Sequence, residues 1–242
     1  MASENALRED LATCARIFAM QGLLGLHGHV SLYQPETKRV LITPGAGSDK
    51  ANLRPEDMVL ADLDGRKLVG KHNPPREWPI HTAIHAARPD AGAIAHLHPP
   101  NATVFAIGKR EYKPITLQST IFADGIPFYR EAHLITTPER GAKLLAVIGN
   151  KRAAFMRAHG ITIVGRNIQE VLHATLVLEN DALKTMQAGS LGGCGVLSEE
   201  ECRIAGNETP IEAVAGRTWV YFTTLEARWN RQPASGRSEL FP

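Results

Sequence analysis

Ala93-Ile94-Ala95-His96-Leu97-His98-Pro99-Pro100 reads as a strand that stops at two prolines. Side chains alternate faces along a strand, so His96 and His98 point the same way and Leu97 points into a core. Two imidazoles on one face at a strand end make half of a metal site. The alternative is a pair of histidines satisfied by ordinary hydrogen bonds. On the N-terminal side, the proline-rich loop His72-Asn73-Pro74-Pro75-Arg76-Glu77 leads into a helix at about 78–88, which Pro89-Asp90 ends. On the C-terminal side, Pro99 and Pro100 fit the first turn of a helix running to about Gly108, where a missing N–H costs little.

Further upstream, Leu7, Leu11, Ala15 and Phe18 keep helical spacing within 4–22, and Ser3 caps that helix. His27-Gly28-His29-Val30-Ser31-Leu32-Tyr33 opens a strand. Strands at 39–43, 58–63 and 67–69 continue it as an antiparallel meander with a tight turn at Asp64-Gly65. Downstream, Ile126-Pro127-Phe128-Tyr129 is a short strand, and Thr136 with Glu139 forms a capping box for a helix ending near Gly149-Asn150. Strands at 153–158 and 161–164 flank His159-Gly160, and a long helix over 168–188 is closed by Gly189. Residues 189–209 read as a glycine-rich polar loop. Residues 210–230 read as a last helix carrying Trp219, Tyr221, Phe222 and Trp229. No repeat or linker divides the chain, so 1–242 reads as one domain with a mobile tail from about 231. This order predicts an α/β fold of three layers, α/β/α, around a central, mainly antiparallel sheet.

Composition narrows the function. At 242 residues and 43% hydrophobic, the chain sustains a sizeable core. A net charge of +2 is too weak to point to nucleic acid or a membrane surface, and the expected partner is a small-molecule substrate. Cys14, Cys194 and Cys202 have no paired spacing, which suits a reducing compartment. No apolar run approaches the roughly 18 residues of a membrane span, and no signal-peptide pattern opens the chain, so the expected location is cytoplasmic.

Two further residues offer the other half of the metal site. His159 lies between two strands and precedes Gly160, where the backbone turns tightly or approaches a ligand closely. Glu77 sits at the mouth of a helix, where its carboxylate either caps helix N–H groups or turns outward to a cation. Three histidines and one carboxylate make a sound shell for one zinc ion per subunit and an acceptable one for manganese or cobalt. His81 and His85, four apart on a helix, also have metal-like spacing, against the plainer reading of one packed and one exposed ring. His173 reads as structural.

Arg76-Glu77-Trp78-Pro79-Ile80-His81, Ala95-His96-Leu97-His98-Pro99 and Ala158-His159-Gly160 resemble, in order and spacing, the class II aldolase/adducin family. The resemblance also takes in Gly28-His29-Val30-Ser31 and Ile42-Thr43-Pro44-Gly45 and covers roughly residues 7 to 220. It implies a central antiparallel sheet between helical layers and a homotetramer with active sites at subunit interfaces. It implies a metal held by Glu77, His96, His98 and His159, with His29, Ser31, Thr43, Gly45 and Arg76 binding substrate. The aromatic-rich last helix also fits a homo-oligomer.

The departures from the family pattern bear on the substrate. The sugar-phosphate aldolases carry an asparagine where His29 stands, and a serine pair where Pro75-Arg76 stands, all contacting phosphate. His29 and Arg76 suit a carboxylate instead, through a charge-assisted hydrogen bond and a bidentate fork. This variant resembles the family's decarboxylases of hydroxylated aromatic or pyridine dicarboxylates. A divalent ion there stabilises the negative charge left when a carbon–carbon bond breaks. Glu77, Tyr129 and His133 are the candidates for returning a proton to carbon. The expected activity is a metal-dependent carbon–carbon lyase, a decarboxylase. An aldolase or epimerase acting on a sugar phosphate or hydroxy-keto acid is the alternative, and a non-enzymatic adducin-like module the reading outside catalysis.

Overall fold

The alternating stretches form one eight-stranded sheet in the computed structural model, which describes residues 3–45 and 47–231. The tail read from about 231 lies outside the described residues, except that Arg231 ends the last helix. The strands are β1 (His29–Gln34), β2 (Arg39–Ile42), β3 (Val59–Asp62), β4 (Lys67–Val69), β5 (Ala93–Leu97), β6 (Phe128–Tyr129), β7 (Ala153–Met156) and β8 (Gly160–Gly165). Their order is β4-β3-β2-β1-β5-β8-β7-β6. Neighbours are antiparallel except β6 and β7, which run parallel.

Helices cover both faces. They are α1 (Glu4–Met20), α2 (Trp78–Ala87), α3 (Ala102–Ile107), α4 (Pro138–Ile148), α5 (Ile168–Ser190), α6 (Glu199–Glu208) and α7 (Ile211–Arg231). Val30, Leu32, Ala93, Ala95, Leu97, Ile161 and Ile163 point into the larger core, with residues of α1, α3 and α5. Ile94, Ala154, Met156 and Val164 point the other way, onto Ile80 and Ile84 of α2 and Leu144 and Ile148 of α4. His96 follows Ile94 on this second face. Each fully buried Ile or Leu contributes about 1.5–3 kcal/mol. A one-residue slip of β5 would turn all its side chains over and forfeit both faces at once, so the register is strongly held. In that register His96 stands between His29 of β1 and Thr162 of β8.

Several boundaries differ from the sequence reading. The stretch 189–209 is not all loop: Ser198 and Glu201 form a reciprocal capping box that starts α6. Glycine-rich flanks hid that box. The cap of α4 is Thr137, which accepts from Arg140 N–H, and not Thr136. Gly189 lies inside α5. In α7, Trp219 and Phe222 pack against the larger core, while Val220 and Tyr221 stay 65% and 60% exposed. Among the described residues no helix is long and apolar enough to cross a membrane.

Candidate metal centre

Three parts of the fold deliver the four expected ligands. His96 is the penultimate residue of β5 and is fully buried. His98 follows one residue past the strand, where the prolines turn the chain. His159 sits in the β7–β8 connection, after Ala158 with φ 54°. Gly160 allows this hairpin to close against β5. A Cβ there would lie 2.4 Å from the Leu97 carbonyl oxygen and 2.6 Å from the His98 ring. Glu77 occupies the N-cap of α2 but makes no capping bond with its side chain. Pro79, at the second helical position, has no N–H to be capped, so the carboxylate is free to turn outward. Its Oε1 accepts from the Ile135 N–H at 2.9 Å. Its Oε2 lies 3.7 Å from His96 Nε2 and 3.5 Å from His159 Nε2.

The donors converge. His98 Nε2 is 3.1 Å from His96 Nε2, and ligand atoms of His96, His98 and His159 lie within 4.8 Å of one another. Both ring nitrogens of His159 and Nδ1 of His96 are buried without a hydrogen-bond partner. Burial is the main reason that His96 is held well below the usual imidazole range and His98 at about 4, and the facing imidazoles add to it. Burial alone would raise the Glu77 carboxyl, but His159, His96 and the Ile135 N–H outweigh it and hold the group at about 2. The result is a carboxylate facing three imidazoles, of which His96 and His98 are pushed toward the neutral form by burial. That is the donor set a divalent ion satisfies.

A second histidine chain abuts the first. His29 Nδ1 is 2.6 Å from His81 Nε2, Ser31 Oγ is 2.6 Å from His81 Nδ1 and 2.8 Å from His85 Nε2, and His85 Nδ1 donates to the Ala91 carbonyl at 2.7 Å. His81 and His85 are both buried, so the reading of one packed and one exposed ring is corrected. Their four-residue spacing serves hydrogen bonding to β1. A ligand atom of His29 also lies within 4.8 Å of those of Glu77 and His96. Gly28, at φ 98°, sets this approach, since a Cβ there would meet Leu24 at 2.8 Å and the His96 carbonyl at 3.1 Å.

The other expected site residues divide. Ser31 is fully buried with its hydroxyl engaged by His81 and His85, and fully buried Thr43 accepts from the Val30 N–H. The Ser31 hydroxyl is thus engaged inside the protein, while the Thr43 oxygen holds the β1 backbone. Gly45 bonds through its N–H to the Asn73 carbonyl, where the 44–45 loop meets Pro74 and Pro75. Arg76 is exposed and makes no ion pair or hydrogen bond with the described residues. Tyr129 is buried and donates to Glu131, 3.4 Å away, and His133 Nε2 lies 2.6 Å from the same carboxylate. Neither bonds to the four clustered ligands. His173, on α5, pairs with Thr218 of α7, away from the cluster.

Lys50 was missed. Its ammonium is buried and donates to the Pro44 and Gly45 carbonyls, pinning that loop, and burial pulls its pKa to about 8. An isolated lysine after Ser48-Asp49 carries no sequence signal for such a role.

Residues 9–184 match the Class II Aldolase and Adducin N-terminal domain family. The 3,4-dihydroxyphthalate decarboxylase of Rhodococcus jostii is 29% identical over 198 residues, spanning 77% of this chain and 82% of that protein. The 5-methylthioribulose-1-phosphate/5-deoxyribulose-1-phosphate aldolase of Rhodospirillum rubrum is 32% identical over 179 residues, spanning 73% and 79%. The L-fuculose 1-phosphate aldolase structure from Glaciozyma antarctica superposes with a TM-score of 0.82 at 21% identity, over 94% of this chain and 92% of that one, and so shares the fold. With the family match spanning most of the chain and the expected ligands gathered at one point, the protein belongs to the class II aldolase/adducin family.

Proposed function

We propose that the protein is a divalent-metal-dependent carbon–carbon lyase that decarboxylates a hydroxylated aromatic or heteroaromatic carboxylate or dicarboxylate. The observation that carries this is the convergence of the Glu77 carboxylate with the imidazoles of His96, His98 and His159. An adducin-like module has no use for such a donor set. Zinc is the first choice for that set, with manganese or cobalt acceptable. When bound, the ion supplies Lewis-acid stabilisation of the charge left by departing carbon dioxide.

The chain's own residues set the substrate. Arg76 is exposed, has no partner among the described residues and is placed beside Glu77 in the chain, so its fork is offered to a carboxylate. Glu77 rests ionised, so the proton it delivers to carbon is one it first takes from a substrate hydroxyl or water. Tyr129 and His133, gathered around Glu131, serve as donors only across a subunit contact, in the homotetramer that the family resemblance implies. The exposed Val220 and Tyr221 of α7 are surface for that assembly, in the cytoplasmic setting the sequence suggests. Light scattering at micromolar concentration is expected to give four subunit masses, and a monomer would end this part of the reading.

The experiment offers metal-loaded protein a hydroxylated aromatic dicarboxylate and, separately, a ketose 1-phosphate. Carbon dioxide release from the diacid is expected. Arg76→Lys lowers its kcat/KM by about ten- to a hundredfold, because a charge-assisted fork worth about 1.5–3 kcal/mol is lost while the charge remains. Efficient cleavage of the sugar phosphate with no decarboxylation would favour the second reading, an aldolase, to which the Rhodospirillum rubrum relative is the pointer.

A further inference from the structure

The buried chain from Ala91 to His29 has only one consistent direction. The Ala91 carbonyl can only accept, so His85 Nδ1 carries a proton. In a neutral ring His85 Nε2 is then bare and takes the Ser31 hydroxyl proton. Ser31 has one proton to give, so its oxygen must accept from His81 Nδ1–H. His81 Nε2 is then bare and accepts from His29 Nδ1–H. Four bonds of 2.6 to 2.8 Å therefore leave His29 with a bare Nε2, on a ring 5.0 Å from that of His96. All three rings are buried, and an imidazole out of contact with water favours the neutral form this direction requires. No carboxylate among the described residues bonds to His81 or His85 to support a charged ring.

We propose that His85, Ser31 and His81 are positioning residues that hold His29 as a hydrogen-bond acceptor, and that His29 thereby selects a substrate hydroxyl and rejects a carboxylate at that point of the pocket. A carboxylate would meet a lone pair there, where a hydroxyl finds a partner. This replaces the charge-assisted role expected for His29 and leaves carboxylate recognition to Arg76. The substrate half of the proposal rests on the lyase reading above. The tautomer half does not.

The test begins with nitrogen NMR of the imidazoles in zinc-loaded protein at neutral pH, which needs no turnover and no variant. His29, His81 and His85 are each expected as the Nδ1–H tautomer. An Nε2–H or doubly protonated ring at any of the three, or a zinc-coordinated His29, overturns the relay. The second measurement is calorimetric binding of 2-hydroxybenzoate and of its methyl ether to zinc-loaded wild type and Ser31→Ala. The metal's share of the preference for the hydroxyl is common to both proteins and cancels in their ratio. The preference is expected to fall about tenfold in Ser31→Ala, as the His29 tautomer is released, with metal content unchanged. Equal preference in the two proteins overturns the selector role even where the tautomers are as stated. Failure of the lyase reading leaves the NMR result standing, so the two failures are distinguishable.

Discussion

His96→Ala is expected to empty the metal centre and abolish turnover. His96 is the fully buried member of the cluster, and its Nε2 stands 3.1 Å from His98 and 3.7 Å from Glu77. Removing it takes one of four donors and opens a cavity that water fills without supplying a comparable ligand. Loss of a supporting partner alone costs about 10–100-fold in metal affinity, so loss of a ligand costs more than that. Lewis-acid stabilisation is worth several kcal/mol, and each 1.36 kcal/mol is tenfold, so the rate falls by about a thousandfold or more. Elemental analysis of protein purified without chelator, alongside carbon dioxide release, reads both effects. Chelator treatment of the wild type reproduces the loss, and added zinc, manganese or cobalt reverses it. A variant that kept one ion per chain would refute the assignment of His96.

The second large effect is acid destabilisation of the metal-free protein. His29, His81 and His96 are held well below their usual range, and His85 lies at about 4 against 6.5 in the unfolded chain, all chiefly by burial. Below pH 6.5 the unfolded chain therefore binds protons that the folded chain refuses. Stability is fully present above pH 6.5 and is lost as pH falls toward the folded values. Each ring that stays neutral contributes a slope of about 1.4 kcal/mol per pH unit. Four rings acting together remove on the order of 10 kcal/mol by pH 4, comparable with a whole folding stability. Glu77, held at about 2, contributes stability above pH 4.5 that is lost only below it, outside this window. Denaturant titrations from pH 8 to 5 should show midpoints falling steeply below 6.5. Metal, which binds only the neutral imidazoles, should move the fall to lower pH. A midpoint constant from pH 7 to 5 would mean that these rings are not buried neutral.

Features that depend on local backbone geometry and on motif order were legible in the sequence. The two-residue period of β5 put His96 and His98 on one side before any partner strand was known. The meander, α1, α2 and α5 followed from periodicity and from Gly and Pro breaks. The quoted motifs pointed to the family and to Glu77 and His159. What sequence could not show was which polar groups spend their hydrogen bonds inside the protein. The β1–β2 and β1–β5 registers and the packing of α2 bring the Ser31 hydroxyl to His81 and His85 and the Thr43 oxygen to the Val30 N–H, partners that no local pattern reveals. Lys50 and the His29–His81 pair, 52 residues apart, became legible only when distant elements met. The cause is that strand and helix periods are properties of adjacent residues. Pairing across the sheet is decided by long-range burial of both its faces, and that burial selects which side chains end in a common pocket.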